Sequence, residues 1–220
     1  MKILFLSALL VVCCSVACGV KFNSGASVKN GAGVTKRDSR NIVGYSKIKA
    51  SSAVDLNVVV TNGYSIVLKG DESVLPSVLT ELQGDTLVIS IKDNTSLDSK
   101  INVSVTLPQL NALELVGATH ATVKDVRSDE LSIDATGASS VEVAGQVQSL
   151  KVKATGASTI NAEALKAEKA DAESVGASKV TVSASDSLIA GATGASSVTY
   201  VGEPKSVMQN ATDVSSISKK

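Results

Sequence analysis

Aromatic side chains make up 2% of this 220-residue chain, and tryptophan is absent. Stacking platforms for bases or sugar rings have little to be built from. Charge of one sign is lacking as well: 21 basic and 21 acidic residues cancel to a formal net charge of zero. No basic field is left to hold a nucleic acid backbone, and no acidic tail invites a basic partner. Cysteine is confined to Cys13, Cys14 and Cys18. Past residue 18 there is therefore no disulfide, no thiolate nucleophile and no cysteine metal site. Histidine occurs once, at His120, which cannot by itself complete a metal set. The calcium-binding nonapeptide, the Gly-x-Ser-x-Gly elbow and the P-loop are all missing. No cofactor is called for. No stretch carries a helical stripe, which leaves strands.

The first residues read as a sorting signal. Met1-Lys2 is a short basic start, and Ile3 to Val12 is an apolar run too short to span a bilayer. Ser15-Val16-Ala17-Cys18 follows, and small residues before a cysteine at this place resemble a bacterial lipobox. The expectation is a signal peptide over 1–17, lipidation of Cys18 and anchorage in the membrane interface by acyl chains such as palmitate. Residues 18–40 are dominated by Gly, Ser, Asn and Lys without a period, and read as the lipidated cysteine and a flexible tether. They lack an acidic run after the cysteine. That favours the periplasmic face of the outer membrane over export to the outer face.

From residue 41 the pattern becomes one of strands. Val54-Asp55-Leu56-Asn57-Val58 alternates with period two, and Tyr64 to Leu68 continues after Asn62-Gly63, a dipeptide that signals a hairpin. Leu87 to Ile91 and Ile101 to Val105 are further strands, and Glu81 to Asp85 reads as a turn.

A repeat then sets in. Val116-Gly117-Ala118-Thr119, Thr136-Gly137-Ala138-Ser139, Thr155-Gly156-Ala157-Ser158, Val175-Gly176-Ala177-Ser178 and Thr193-Gly194-Ala195-Ser196 follow one another in steps of 20, 19, 20 and 18 residues. Apolar or small residues stand two and four before each glycine, and again four and six after it. Leu113, Leu115, Ala121 and Val123 make one set, and Val152, Ala154, Ile160 and Ala162 another. Two alternating strands thus flank every corner, and a period near 20 suggests one coil of a β-solenoid per repeat. Gly117, Gly137, Gly156, Gly176 and Gly194 would allow positive φ at a sharp turn. The alanine beside each is small enough to face a crowded axis. Thr119, Ser139, Ser158, Ser178 and Ser196 would form a hydroxyl ladder. A degenerate last copy lies at Thr212 to Ile217, with Asp213 in the place of glycine.

Residues 42–217 resemble the auto-transporter adhesin head GIN domain family, common among Bacteroidetes lipoproteins. The resemblance rests on Asp55-Leu56-Asn57-Val58, Gly84 to Ile89, Leu107-Pro108-Gln109-Leu110, the serial Gly-Ala-Ser corners and Tyr200 to Lys205. It implies a right-handed parallel β-helix-like fold. The expected structure over 41–220 is therefore an all-β solenoid with coils of roughly 20 residues and a strand-rich N-terminal part. The family name suggests adhesion, and the family supplies no catalytic motif.

Two readings of function follow. One is a non-enzymatic envelope lipoprotein that acts in adhesion, binding or scaffolding, with a protein or glycan of the envelope or host as partner. A second copy of the chain, joined through coil faces, is a further candidate partner. The other is a polysaccharide-active β-helix enzyme. It would use outward carboxylates such as Glu114, Asp134 and Glu173, each three residues before a corner glycine, with Lys153 at the equivalent place. His120 shares its place with Ser140, Thr159, Lys179 and Ser197, an outward variable position. Five near-copies of Gly-Ala-Ser with no nearby base argue for a structural corner rather than a nucleophile.

Overall fold

The structure is a computed structural model that describes residues 27–29, 33–92, 95–97 and 101–220. The signal peptide, Cys18 and most of the expected tether lie outside the described residues. The strands are β1 (Ser27–Lys29), β2 (Thr35–Arg40), β3 (Lys47–Ser51), β4 (Val54–Val60), β5 (Ser65–Asp71), β6 (Val78–Gln83), β7 (Thr86–Ile91), β8 (Thr95–Leu97), β9 (Ile101–Leu107) and β10 (Ala112–Gly117). Four long strands follow: β11 (His120–Gly137), β12 (Ser140–Gly156), β13 (Thr159–Gly176) and β14 (Lys179–Gly194). The chain closes with β15 (Ser197–Val201), β16 (Ser206–Ala211) and β17 (Ser216–Lys219). The only helical element among the described residues is a 3-10 turn at Leu75–Ser77.

Each long strand runs once around the coil, and each pairs in parallel with the next. Ile133 lies over Val152, Val152 over Ala172 and Ala172 over Ala190; Ala121, Val141, Ile160 and Val180 stack in the same way. The chain is an all-β solenoid of about five turns. Its coils have three sides, represented in β11 by residues 131–136, 120–123 and 126–128. Period-two alternation puts every second side chain inside, where it meets its equivalents one coil away. Leu113, Leu115, Ile133, Val141, Val152, Ile160, Ala172, Val180 and Val198 are all buried in one continuous core. Burying one Leu or Val of this kind contributes roughly 1.5–3 kcal/mol. One inward column steps down from Leu113 through Ile133 and Val152 to Ala172 and Ala190, while the column from Ala121 through Val141 to Ile160 gains bulk over the same coils.

The N-terminal part joins the same stack without the repeat. β3 pairs in parallel with β10 and β7, and β4 with β11 and β9. Antiparallel strands then cover this end: β6 closes on β7, and β5 on β9. Tyr45 is buried here. Its hydroxyl donates to the Thr106 carbonyl oxygen at 3.0 Å, and its ring meets that of Tyr64 edge-on at 4.9 Å. Burial, and then Tyr64, push its pKa up to about 12.

Three expectations are corrected. Asn62-Gly63 does not make a hairpin, because β4 and β5 do not pair with each other; β9 lies between them, parallel to β4 and antiparallel to β5. A type I′ hairpin needs positive φ at both central residues, and of this dipeptide only Gly63 has it. The Thr61 amide instead donates to the Leu107 carbonyl of β9 at 2.9 Å. Residues 35–40 are not tether: β2 pairs antiparallel with β5 over its whole length, with Thr35 opposite Asp71 and Arg40 opposite Ile66. It lies at the border of the sheet and shows mostly polar side chains to solvent, so it carries no apolar alternation. The turn expected over 81–85 narrows to Gly84-Asp85, since Glu81 to Gln83 belong to β6.

Candidate functional site

The corner glycines stand in one stack. Gly117 pairs with Gly137, Gly137 with Gly156, Gly156 with Gly176 and Gly176 with Gly194. Their φ values run from 86° to 98°. The following alanine amide reaches back one coil: Ala138 N–H donates to the Gly117 carbonyl oxygen, and Ala157 N–H to that of Gly137, each at 2.8 Å. The alanine side chains do not face the axis, contrary to expectation. Ala118, Ala138, Ala157, Ala177 and Ala195 are exposed, while the hydroxyl residue after each is buried.

These hydroxyls mainly serve backbone carbonyls. Ser139 Oγ donates to the carbonyls of Thr136 and Gly117, Ser158 Oγ to those of Thr155 and Gly137, and Ser178 Oγ to those of Val175 and Ala154. Ser196 Oγ bonds the Thr193 and Ser174 carbonyls, and Thr119 Oγ1 the Ser52 carbonyl at 2.7 Å. Each hydroxyl thus ties its own corner to the coil before it. Thr119 and Ser139 have no hydroxyl–hydroxyl contact between them; Ser174 and Ser178, within one coil, do share such a bond at 2.9 Å.

Both ends of the stack use a residue other than glycine, and sequence reading missed one of them. Ser52 opens it with φ 78°, and its amide bonds the Val116 carbonyl at 3.1 Å. Ile48, Ala50, Leu56 and Val58 surround Ser52 at the same offsets that mark the later corners. Asp213 ends the stack with φ 62°, and its carboxylate accepts from the Gly194 amide at 3.2 Å.

The outward acidic residues fall into a mixed column. Lys49, Glu114, Asp134, Lys153 and Glu173 are successive neighbours across five coils. Lys49 pairs with Glu114 at 2.8 Å and Lys153 with Glu173 at 3.0 Å, while Asp134 accepts from Thr136. The hydrogen bond and charge of Glu173 raise the Lys153 pKa. Similarly, Lys205 draws the Asp186 carboxyl below its ordinary value. All these groups are at the surface, where such pairs add little stability. His120 is half-buried between Asp55 and Ser140 in the outward position before Ala121. Among the described residues, no three His, Cys, Asp or Glu gather in a way that could hold a metal ion.

A groove of about 790 Å³ runs beside the 108–111 turn and is lined by Lys47, Gln109, Asp129, Glu130, Ser149 and Lys151 among others. A second, of about 440 Å³, adjoins it on the third side, between Arg127, Asp129, Gln146, Gln148 and Glu168. They share Asp129, which accepts from Gln148 Nε2 at 2.9 Å.

The profile described as "putative auto-transporter adhesin, head GIN domain" matches residues 44–204. The chain belongs to this family. Several crystal structures share its fold at low identity. A crystal structure titled as a putative adhesin from Bacteroides fragilis superposes with a TM-score of 0.72 at 19% identity, covering 86% of this chain and 99% of that one. One titled as a putative lipid binding protein from Parabacteroides distasonis gives 0.54 at 18%, over 88% and 100%. A putative adhesin from the same organism gives 0.55 at 16%, over 88% and 100%. None of the functionally curated proteins compared with the chain matches it. The match from Gly44 to Pro204 takes in every corner from Ser52 to Gly194.

Proposed function

We propose that the protein is a non-enzymatic envelope lipoprotein that serves as an adhesion, binding or scaffolding module. Cys18 carries its acyl chains, the residues that follow it tether the solenoid to them, and the periplasmic face of the outer membrane is its place. The observation that carries this reading is the outward column from Lys49 to Glu173, in which Glu114 and Glu173 each pair with a lysine of a neighbouring coil and Asp134 with Thr136, rather than being aimed at a common point. Such a surface is flat, polar and repetitive, suited to contact rather than to turnover. The family's description as an adhesin head domain supports the same reading.

A second reading keeps one specific support. The groove at Asp129 and Glu130 holds two carboxylates beside Lys47 and Lys151, the set a glycan-active enzyme would need. A panel of envelope and host glycans incubated with the pure domain separates the two. The binding reading expects no turnover with any glycan and retention of the full chain on envelope membranes. Turnover abolished by Asp129→Asn or Glu130→Gln would overturn it. Cys18→Ala is expected to abolish labelling by radioactive palmitate and to release the protein from the membrane fraction.

A further inference from the structure

The two ends of the stack are finished differently. Antiparallel strands cover the N-terminal end, and β2, at the border, carries Lys36, Arg37, Asp38 and Arg40 within six residues. Charge of this density on a border strand resists pairing with another chain. At the other end the last coil is built from β15, β16 and β17. β16 pairs in parallel with β14, and β17 with β15; among the described residues neither has a strand on its far side. β16 reads Ser206-Val207-Met208-Gln209-Asn210-Ala211, without charge, proline or bulge, and all six residues are exposed.

The open row continues the core. Val207 lies over Leu188, Gln209 over Ala190 and Ala211 over Ala192, three positions that are buried in the coil before. Val207 is nevertheless 41% exposed, and on the outer side Met208, 66% exposed, extends an apolar patch from Ile189. Such an end is completed by a second inward row of the same outline, and a second coil end supplies one. The side chains suit self-pairing. An antiparallel pair centred on Gln209 sets Val207 of one copy against Ala211 of the other, and Met208 against Asn210. It sets Gln209 against its own equivalent, and a carboxamide, donor and acceptor at once, is complementary to itself. It also brings the strand end that carries Lys205 against the end that carries Asp213, so the flanking charges are opposite in sign. Of the other charges at this end, Glu203 is paired with Lys219 and Lys220 with Glu163.

We infer that β16 is a homodimerisation edge: two copies join end to end through antiparallel pairing of residues 206–211 about a two-fold axis at Gln209, and their cores become continuous. The contact uses the same patch on both copies and closes on itself, because the charged border at the opposite end gives a third copy no matching edge. It goes beyond the binding reading and holds whatever the outward faces of the coils engage.

The test uses the full chain in density-matched mild detergent. Sedimentation is expected to show a monomer–dimer equilibrium whose dissociation constant rises at least about tenfold in Gln209→Lys, which puts two like charges face to face at the axis. Met208→Lys, on the outer side of the same strand, is expected to act in the same direction, and circular dichroism checks that both variants are folded, which their exposed positions favour. Gln209→Cys is expected to yield a covalent dimer on mild oxidation, because the two Cβ atoms stand opposite each other across the axis, while wild type and Arg37→Cys on β2 do not. A wild type that stays monomeric at every concentration, a species that grows beyond the dimer, a dimer that both lysine variants leave unchanged, or a Gln209→Cys that does not cross-link overturns the assignment. A monomeric wild type that is retained on envelope membranes when folded Gln209→Lys is not would assign the edge to a different partner, and so overturns it as well. Loss of the dimer in Gln209→Lys with membrane retention unchanged supports it and leaves the adhesion reading untouched.

Discussion

The carbonyl oxygen of Gly117 lies 2.6 Å from where a Cβ on Gly137 would stand. The same relation recurs at 2.8 Å between Gly137 and Gly156, and at 2.9 Å between Gly156 and Gly176. Real Cβ atoms do not come so close to an oxygen. The glycines are thus required twice, by their positive φ and by the coil stacked against them. Gly117 itself would meet only Ser52, at 3.5 Å, so the steric requirement begins one coil into the repeat.

The serine after each corner is expected to matter less than the glycine. Ser158 is fully buried, and its hydroxyl bonds the Thr155 and Gly137 carbonyls and accepts from the Ser139 amide at 3.3 Å. Ser158→Ala removes these bonds but adds no volume. A loss of about 1–2 kcal/mol is expected, read from chemical denaturation.

The column that steps down from Leu113 to Ala190 makes opposite predictions at its two ends. Leu113→Ala leaves a cavity at the broad end and is expected to cost about 2–5 kcal/mol. Ala172→Leu overfills the narrow end and is expected to cost about 1–3 kcal/mol. Equal tolerance of leucine and alanine at both positions, in the same denaturation assay, would contradict the stepped core.

Tyr45 links stability to alkaline pH. Its folded pKa, about 12, is raised above the ordinary value of 10.0, so the folded state favours the protonated hydroxyl. The contribution is present in full below pH 10 and is lost as pH rises toward 12. Tyr45→Phe is expected to cost about 1 kcal/mol at neutral pH, through the lost bond to Thr106, and to flatten the decline between pH 10 and 12. Urea midpoints across that window check both.

The charged column should carry almost no stability. Lys153→Ala breaks the pair with Glu173 at the surface. A change within about 0.5 kcal/mol is expected, shrinking further at high salt. A larger loss would mean that the column holds the coils together.

Much of this was legible in the sequence because each copy of the repeat solves the same packing problem. Inward residues such as Ile133 and Val152 and the steps between glycines follow directly from stacking. The third side was not legible. Register slips between Val123 and Val126, and between Glu142 and Gly145, destroy any fixed spacing there. Ser52 was hidden by the excursion of β5 to β9, which separates it from Gly117 by more than three repeats of sequence. β2 escaped notice because a border strand needs no apolar face.

If the Gly-Ala-Ser corner is a stacking device, Gly156→Val and Gly191→Ala must differ sharply in melting midpoint. Gly156 has φ 86° and the Gly137 oxygen against it, whereas Gly191 has neither a positive φ nor any atom within 4 Å of an added Cβ. Gly156→Val is expected to lower the midpoint by on the order of 10 °C. Gly191→Ala is expected to leave it unchanged or raise it slightly. Equal midpoints for wild type and Gly156→Val would contradict the account.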